Sequence, residues 1–409
     1  MEQRNLYFLT FLRDAVTGVC SPEAMALAKD MDRSAQDQVL ELARLHNLFP
    51  LLAQQLMRLH PPGLEAAALR ACTVEALVRQ TMATQSLLTL TRALEQASVP
   101  ALVIKGAVCR SLYPSPDLRP SSDEDILIPP ESQSAAEAVL ETLGYRLAKE
   151  EKNPDDPVRT WYTDRLRVEL HRSLCGDLTI ARQRVEPWFD GCFSRCIVWN
   201  VGEGEVLTLG IQDHILYLLL HFYKHFLAGG VGIRQLCDIC LFVNRFGREI
   251  DWTRLWKVLE QLSLDCLAWN MLDLGVQYLG LDPQAVSQPP HIPEADSGAL
   301  LLDMLDAGVF GASTMERKHS SHMTIQAASA QSRRAGTLWT ALFPPARSLQ
   351  GRFPYLRRWP WLLPAAWCAR GFGYLREGRD AGGRAATAAR LGRQRLELLE
   401  QYGLLDRKA

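Results

Sequence analysis

The 409-residue chain reads as an α+β protein: a short-stranded α/β core embedded in mostly helical N- and C-terminal regions. Three observations predict this. Apolar residues recur at helical intervals through the first stretch, residues 1–97. Between Val99 and Asn200 the pattern changes to short β-rich runs separated by turn residues, and from Gln212 onward helical periodicity returns. The organisation expected is an N-terminal helical region at 1–97, the core at 98–205, a helical region packing on it at 206–300, and a C-terminal helical, Arg-rich region at 301–409.

Each element has its own signal. Leu40, Leu42, Ala43 and Leu45, then Leu51, Leu52 and Leu56, fall at helical intervals, and 64–95 is rich in the helix formers Ala, Leu, Gln and Arg. Four runs read as strands: 101–104 (Ala-Leu-Val-Ile), 125–128 (Asp-Ile-Leu-Ile), 145–148 (Tyr-Arg-Leu-Ala) and 166–170 (Leu-Arg-Val-Glu-Leu). The segment 131–144 fits a helix closed by Gly144, and the cluster Asn-Pro-Asp-Asp-Pro at 153–157 fits a turn leading into a further strand. Helices are expected at 213–225, 234–246 and 252–264. The Pro-containing segment 283–295 and the polar stretch 313–334 read as connections, the second as a mobile loop.

Composition narrows the partners. Forty-five Lys and Arg nearly balance 46 Asp and Glu, so no overall field draws the chain to nucleic acid, and any such binding must come from a local patch. One candidate patch runs from Arg347 to Ala409, with 13 basic residues against five acids. Its plainer meaning is a solvated face on amphipathic helices. Ten cysteines in a chain whose N-terminus lacks an export signal point to reduced thiols in a cytoplasmic protein. No apolar run is long enough to span a bilayer, and the proline-broken Trp361–Trp367 segment allows at most a peripheral contact.

The chemistry concentrates at 104–107 (Ile-Lys-Gly-Ala) and 119–128. Asp123 and Asp125 stand two residues apart at a strand start, where alternation turns their side chains the same way. Paired carboxylates after a glycine turn can hold Mg²⁺ (or Mn²⁺) against a polyphosphate, because hard cations take carboxylate oxygens and keep positions for phosphate and water. Nucleotidyl transfer from an NTP is therefore the leading expectation. The plainer alternative is a solvated acidic turn beside Arg119. Gly106 can bring backbone close to a phosphate at the start of the following helix. Lys105 and Arg119 can bind a triphosphate, Lys as a point charge and Arg as a fork. They could instead pair with the acidic cluster itself.

Taken together, Lys105-Gly106, the helix after it, Arg119-x-x-x-Asp123-x-Asp125 and the later Glu169-Leu170-His171 resemble the uncharacterised nucleotidyltransferase family of the DNA polymerase beta superfamily. The likeness is most specific over 101–172. It extends to the helix running from Asp213-His214 to His225, to Arg234 and Asp238, and to the segment from Pro354-Tyr355 to Arg370. The resemblance implies a minimal polymerase-beta-like core, a mixed sheet with flanking helices. It implies that Asp123, Asp125 and Glu169 are catalytic and bind metal, and that Lys105, Gly106, Arg119, Ser122 and His171 serve the nucleotide. Two departures stand out. Glu124 occupies a position the family fills with an aliphatic residue, and Ala107 carries no hydroxyl, which leaves Ser111, Ser121 or Ser122 to supply one. Glu169 is a third departure, Glu rather than Asp, whose extra methylene is tolerable for a base or a flexible ligand; its plainer reading is a strand-edge Glu paired with Arg165 or Arg167.

Other groups have two readings each. His214, His221 and His225 share a helix face; they can contact substrate or metal, or pack between helices. Arg234 and Asp238, four apart, most simply form a local ion pair that could face the cleft. Cys237-x-x-Cys240 and Cys192-x₃-Cys196 lack the partner spacing of a zinc site and read as buried thiols. Trp359, Trp361 and Trp367 can stack a base or pack. The acceptor expected is a small molecule or peptide in a biosynthetic tailoring pathway, an association the resemblance carries. The rivals are phosphoryl or glycosyl transfer from a metal-bound sugar nucleotide, tRNA or RNA nucleotidylation, and a non-catalytic nucleotide-binding protein.

Overall fold

A computed structural model of the chain describes residues 2–148, 156–175, 185–228, 230–292, 297–308, 354–367 and 394–404. The chain divides into two compact units, Met1–Lys224 with Gly232–Val309, and His225–Val231 with Phe310–Ala409.

The first unit begins with five helices, α1 (Gln3–Thr17), α2 (Pro22–Lys29), α3 (Arg33–Leu45), α4 (Phe49–Leu59) and α5 (Ala66–Gln96). Their starts follow local chemistry. Ser21 accepts a hydrogen bond from the Ala24 amide, with Pro22 in the first turn, and Asp32 accepts from Ala35. Phe8, Phe11, Leu12, Val39, Leu52 and Leu56 are buried as their shared core. Helix α5, about 46 Å long at 1.5 Å per residue, turns Gln80, Ala83, Thr84, Leu87 and Leu88 inward.

The five-stranded sheet holds β1 (Leu102–Val103), β2 (Glu124–Leu127), β3 (Arg146–Leu147), β4 (Val158–Tyr162) and β5 (Arg167–His171) in the order β1-β2-β5-β4-β3. Only β2 and β5 run parallel; the other pairs are antiparallel. The mixed sheet with flanking helices, among them α6 (Ala107–Arg110) and α7 (Gln133–Thr142), is consistent with a nucleotidyltransferase core. All four residues of β2 are buried, two of them acids, so their charges must find partners inside the protein.

A hairpin at β6 (Ile197–Val201) and β7 (Gly204–Thr208) escapes the sequence reading. Its signal is present: alternate residues Trp199, Val201, Val206 and Thr208 are buried, and the turn carries Gly202 at φ +59°. Further helices among the described residues include α8 (Ile211–Ala228), α9 (Ile233–Phe246), α10 (Trp252–Gln261), α11 (Asp265–Tyr278) and α12 (Ser297–Ala307). The mobile loop proposed at 313–334 lies outside the described residues.

In the second unit, short turns at Pro354–Arg357 and Pro360–Leu362 gather Tyr355, Leu362, Leu363 and Trp367 around Leu356 and Ala366. Trp367 packs, whereas Trp359 and Trp361 are 46% and 73% exposed. No described helix is long and apolar enough to cross a membrane.

Candidate active site

The parallel register of β2 and β5 builds the site. It sets Asp125 beside Glu169 and Leu127 beside His171. Since Glu169 and His171 are two apart on one strand, they share a face, and that face is the one Asp125 presents. Ligand atoms of Asp125, Glu169 and His171 all lie within 4.8 Å of one another, and among the described residues they form the one such group of His, Cys, Asp or Glu. The histidines of α8 and the Cys237/Cys240 pair make no such cluster, and both thiols are free and buried.

Within the triad, His171 Nε2 lies 3.0 Å from Asp125 Oδ1, and Lys105 Nζ lies 4.0 Å from Asp125 Oδ2. Burial alone would raise the Asp125 carboxyl. Lys105, the His171 hydrogen bond and Lys224 outweigh it and hold Asp125 well below the usual carboxylate range. Glu169 is pushed the other way, by burial and by the like charges of Asp125 and Asp123. Two carboxylates plus an imidazole suit a divalent cation, the oxygens favouring Mg²⁺ or Mn²⁺. An ion taken by these groups would replace the His171–Asp125 bond and relieve the crowding that raises Glu169. The donor set therefore fits.

Asp123 is half-buried just ahead of β2 and is not a member of the three-residue group; the Ser122 hydroxyl donates to its carboxylate at 3.2 Å. Glu124 faces away and is 1% exposed. Its Oε2 accepts the Ala107 amide at 2.7 Å, and its Oε1 lies 3.2 Å from Arg110 NH1. Burial raises this carboxyl, opposed by Arg110 and the Ala107 amide. The acid that departs from the family pattern is thus a built feature: it occupies the start of the short helix where the sequence reading placed phosphate. Gly106, at φ +53°, is required for the same reason, since a Cβ there would run into the Glu124 carboxylate. Arg110 also donates to Gln80 Oε1 at 2.6 Å and Thr84 Oγ1 at 2.9 Å. Gln80 in turn brackets Ser121, accepting its amide and donating to its carbonyl, and so ties α5 to the loop that presents Asp123.

Arg119 lies in the interior, 1% exposed. Its guanidinium binds Asp238 through Nε and NH2, and the Tyr113 hydroxyl donates to the same carboxylate at 2.8 Å. Asp238 therefore has Arg119 as its ion-pair partner instead of Arg234, its neighbour one helical turn away. Arg234 donates to the Pro120 carbonyl at 2.6 Å, and burial and Arg119 lower it to about 10. These contacts fix both sides of Pro120.

The three histidines of α8 separate in role. His214 is fully buried among Trp199 and Phe242, and burial lowers it to about 4, which makes it a neutral packing residue. His221 reaches the site, with Nε2 2.6 Å from Lys105 Nζ. His225 belongs to the second unit. Sequence reasoning missed Lys224, which acts on Asp125, and Tyr217, which burial and then Asp125 push well above its usual value. The signal was the spacing Tyr217, His221, Lys224, four and three residues apart on one helix face.

The fold and this acidic cluster agree with the family model for uncharacterised nucleotidyltransferases, which matches residues 32–280. The chain belongs to that family. As a member of the uncharacterised nucleotidyltransferase family, the chain has its β2 and β5 acids, Lys105 and the α8 face inside the matched region, and the second unit's C-terminal part outside it. No curated protein matches the chain in sequence.

Proposed function

We propose that the chain is a Mg²⁺-dependent enzyme that moves a nucleoside monophosphate from an NTP to a hydroxyl or phosphate of a small-molecule or peptide acceptor and releases pyrophosphate. The observation that carries this reading is the meeting of Asp125, Glu169 and His171 across two parallel strands, with Lys105 beside them. Asp125 and His171 would hold the cation with Asp123 at the mouth. Bound there, the cation neutralises phosphate charge and makes the α-phosphorus easier to attack.

The chain's own groups do the rest. Lys105 supplies fixed positive charge toward the polyphosphate. Glu169, paired with Asp125 across the parallel strands, is the group placed to take the proton of the attacking hydroxyl. The acceptor oxygen bonds to the α-phosphorus as the bond to pyrophosphate breaks, and the acceptor's proton passes to the Glu169 carboxylate. Arg119, buried on Asp238, positions the Pro120–Asp123 loop and stays off the phosphate. Catalysis then comes from positioning and charge neutralisation.

The test is calorimetric titration of each of the four NTPs with Mg²⁺ into the protein and its Asp125→Asn variant, followed by mass analysis of products formed with candidate acceptors. Binding that needs Mg²⁺ and disappears in the variant is expected, with a product heavier by a nucleoside monophosphate. Equal binding by both proteins, or a product heavier by a phosphoryl or glycosyl group, would reject nucleotidyl transfer.

A further inference from the structure

The sheet face that carries Asp125, Glu169 and His171 extends beyond the site built on it. Directly paired residues put their side chains on one side of a sheet, and alternation keeps every second residue with them. Thr160 of β4 is therefore the neighbour of Glu169 on that face, and the next row along the strands is Arg167 of β5, Tyr162 of β4 and Arg146 of β3. That row lies about 7 Å from Glu169 along β5 and spans two strand spacings, about 10 Å. The opposite face packs: Trp161, Val168 and Leu170 are buried there, and Arg159 pairs with Glu137 of α7 at 2.6 Å. The near face is covered toward β1 and β2, where Asp125 and Leu127 are buried and Lys105 Nζ meets His221 Nε2 at 2.6 Å. At the Arg167 row it opens, with Tyr162 37% exposed and both arginines exposed.

We infer that this open row seats the acceptor: the substrate that receives the nucleotide is a small molecule with an anionic group, phosphate or carboxylate, held by Arg146 and Arg167 on either side of Tyr162 while its hydroxyl reaches Glu169. This inference rests on the nucleotidyl-transfer reading and names the acceptor class for that same site. The case is one of charge complementarity and spacing. The row holds two cations and no acid, whereas Asp123, Asp125 and Glu169 crowd the other end of the face. An anion is repelled there and attracted here, so the charged end of an acceptor lies over the arginines and its neutral hydroxyl beside the carboxylates. Among the described residues Arg146 has no ion-pair partner. Arg167 has a loose one, Glu169 at 3.5 Å, between side chains 54% and 26% exposed, a pair that water and salt weaken. Each guanidinium offers a donor fork that fits either oxyanion, and the ring between them offers a flat apolar surface. A row about 10 Å wide suits one anionic group, whereas a nucleic-acid strand needs a basic groove that tracks its backbone.

The experiment uses the full chain with phenyl phosphate, benzoate and benzyl alcohol, probes that share a ring and differ in the charged group. Binding is followed by ligand line broadening in nuclear magnetic resonance with Mg²⁺ present, and thermal unfolding confirms that each variant is folded. One of the two anions should bind at least about tenfold more tightly than the alcohol, and the stronger of them tells phosphate from carboxylate. Arg146→Met and Arg167→Met should each weaken that anion by about fivefold or more, the loss typical of a charge-assisted contact. Tyr162→Leu should weaken it as well, whereas Tyr162→Phe, which keeps the ring, should stay within about twofold of the parent. Lys105→Met, on the covered side of the face, should leave probe binding within about twofold, and NTP binding should be retained in the Arg146→Met/Arg167→Met double variant. Failure of both anions to bind the parent, parent-like probe binding in the double variant, or loss of its NTP binding would overturn the acceptor seat and leave the nucleotidyl-transfer reading standing. Binding of a single-stranded RNA that the double variant loses, with no binding of the three probes, would overturn it in favour of RNA. Failure of the parent to bind any NTP with Mg²⁺ would overturn the transfer reading and the acceptor role together.

Discussion

Replacing Arg110 by Met tests the least expected feature of the site, a charge pair sealed beneath its floor. Arg110 and Glu124 are 2% and 1% exposed, and the carboxylate has the Ala107 amide as its other partner. Arg110→Met keeps most of the length of the side chain and removes the charge, leaving Glu124 buried with a single hydrogen bond, Thr84 Oγ1 without the Arg110 donor and Gln80 Oε1 with the Ser121 amide alone. Breaking a buried pair from one side costs about 3–5 kcal/mol. The double variant Arg110→Met/Glu124→Gln should recover much of this. Gln can still accept from Ala107, so about 1–2 kcal/mol should remain for the hydrogen bonds lost at Gln80 and Thr84. The double variant should then be about 2–3 kcal/mol more stable than Arg110→Met alone.

The pH dependence adds a second signature. Burial already raises Glu124 above its ordinary 4.5, and removing Arg110 raises it further. An acid whose folded value lies above its unfolded value costs nothing while both states are protonated, and it destabilises progressively as pH rises past the unfolded value. Arg110→Met should therefore approach parent stability near pH 4.5 and lose ground toward pH 7. Urea unfolding at several pH values, with the slope monitored for change, supplies the measurement. A loss under about 1 kcal/mol at pH 7, or strict additivity of the two single variants, would refute the buried-pair account.

Gly106→Ala should destabilise the chain by about 2–4 kcal/mol, from strain at positive φ and displacement of the Glu124 carboxylate; a thermal midpoint unchanged from the parent would contradict the packing described. His46 and His214 are both lowered to about 4 from 6.5 by burial. Their unfolded forms take up protons first as pH falls, so stability is full above about pH 6.5 and declines toward pH 4, by about 3 kcal/mol per residue. His214→Leu should flatten that decline in urea midpoints measured against pH, and an unaltered slope would remove His214 from the account. Asp238→Asn should loosen the Arg119 anchor, lowering the thermal midpoint and weakening nucleotide binding through the Pro120–Asp123 loop; intact stability with intact binding would show that the buried pair positions nothing.

Much of this protein was legible in the order of its residues. Ser21, Asp32 and Gly18 mark helix ends by chemistry that acts within a few residues, and helical and alternating periodicities separate α5 from β2 and β5 without any knowledge of their neighbours. Asp123 and Asp125 stood out because catalysis with polyphosphates needs acids, and Glu169 came with the family resemblance; the fold groups Asp125 with Glu169 and His171, and Asp123 is outside that group. The hairpin at β6 and β7 carries its alternation too, in the buried Trp199, Val201, Val206 and Thr208.

What the sequence could not rank was partnership. Arg119 reads as a phosphate ligand and Arg234 as the mate of Asp238, since nearby residues are the only partners a linear string can offer. The folded chain instead joins Arg119 to Asp238 across 119 positions and Lys105 to His221 across 116. Glu124 reads as an anomaly until the interior supplies Arg110 and the Ala107 amide, because the cost of a buried charge depends on what surrounds it. The sequence by itself determined the element types, the acidic strands and the glycine turn, all properties of local backbone and side-chain chemistry. Only the tertiary structure decided which charges meet, since electrostatic and packing energies depend on distance in space, and the parallel register of β2 and β5 and the approach of α8 create those distances.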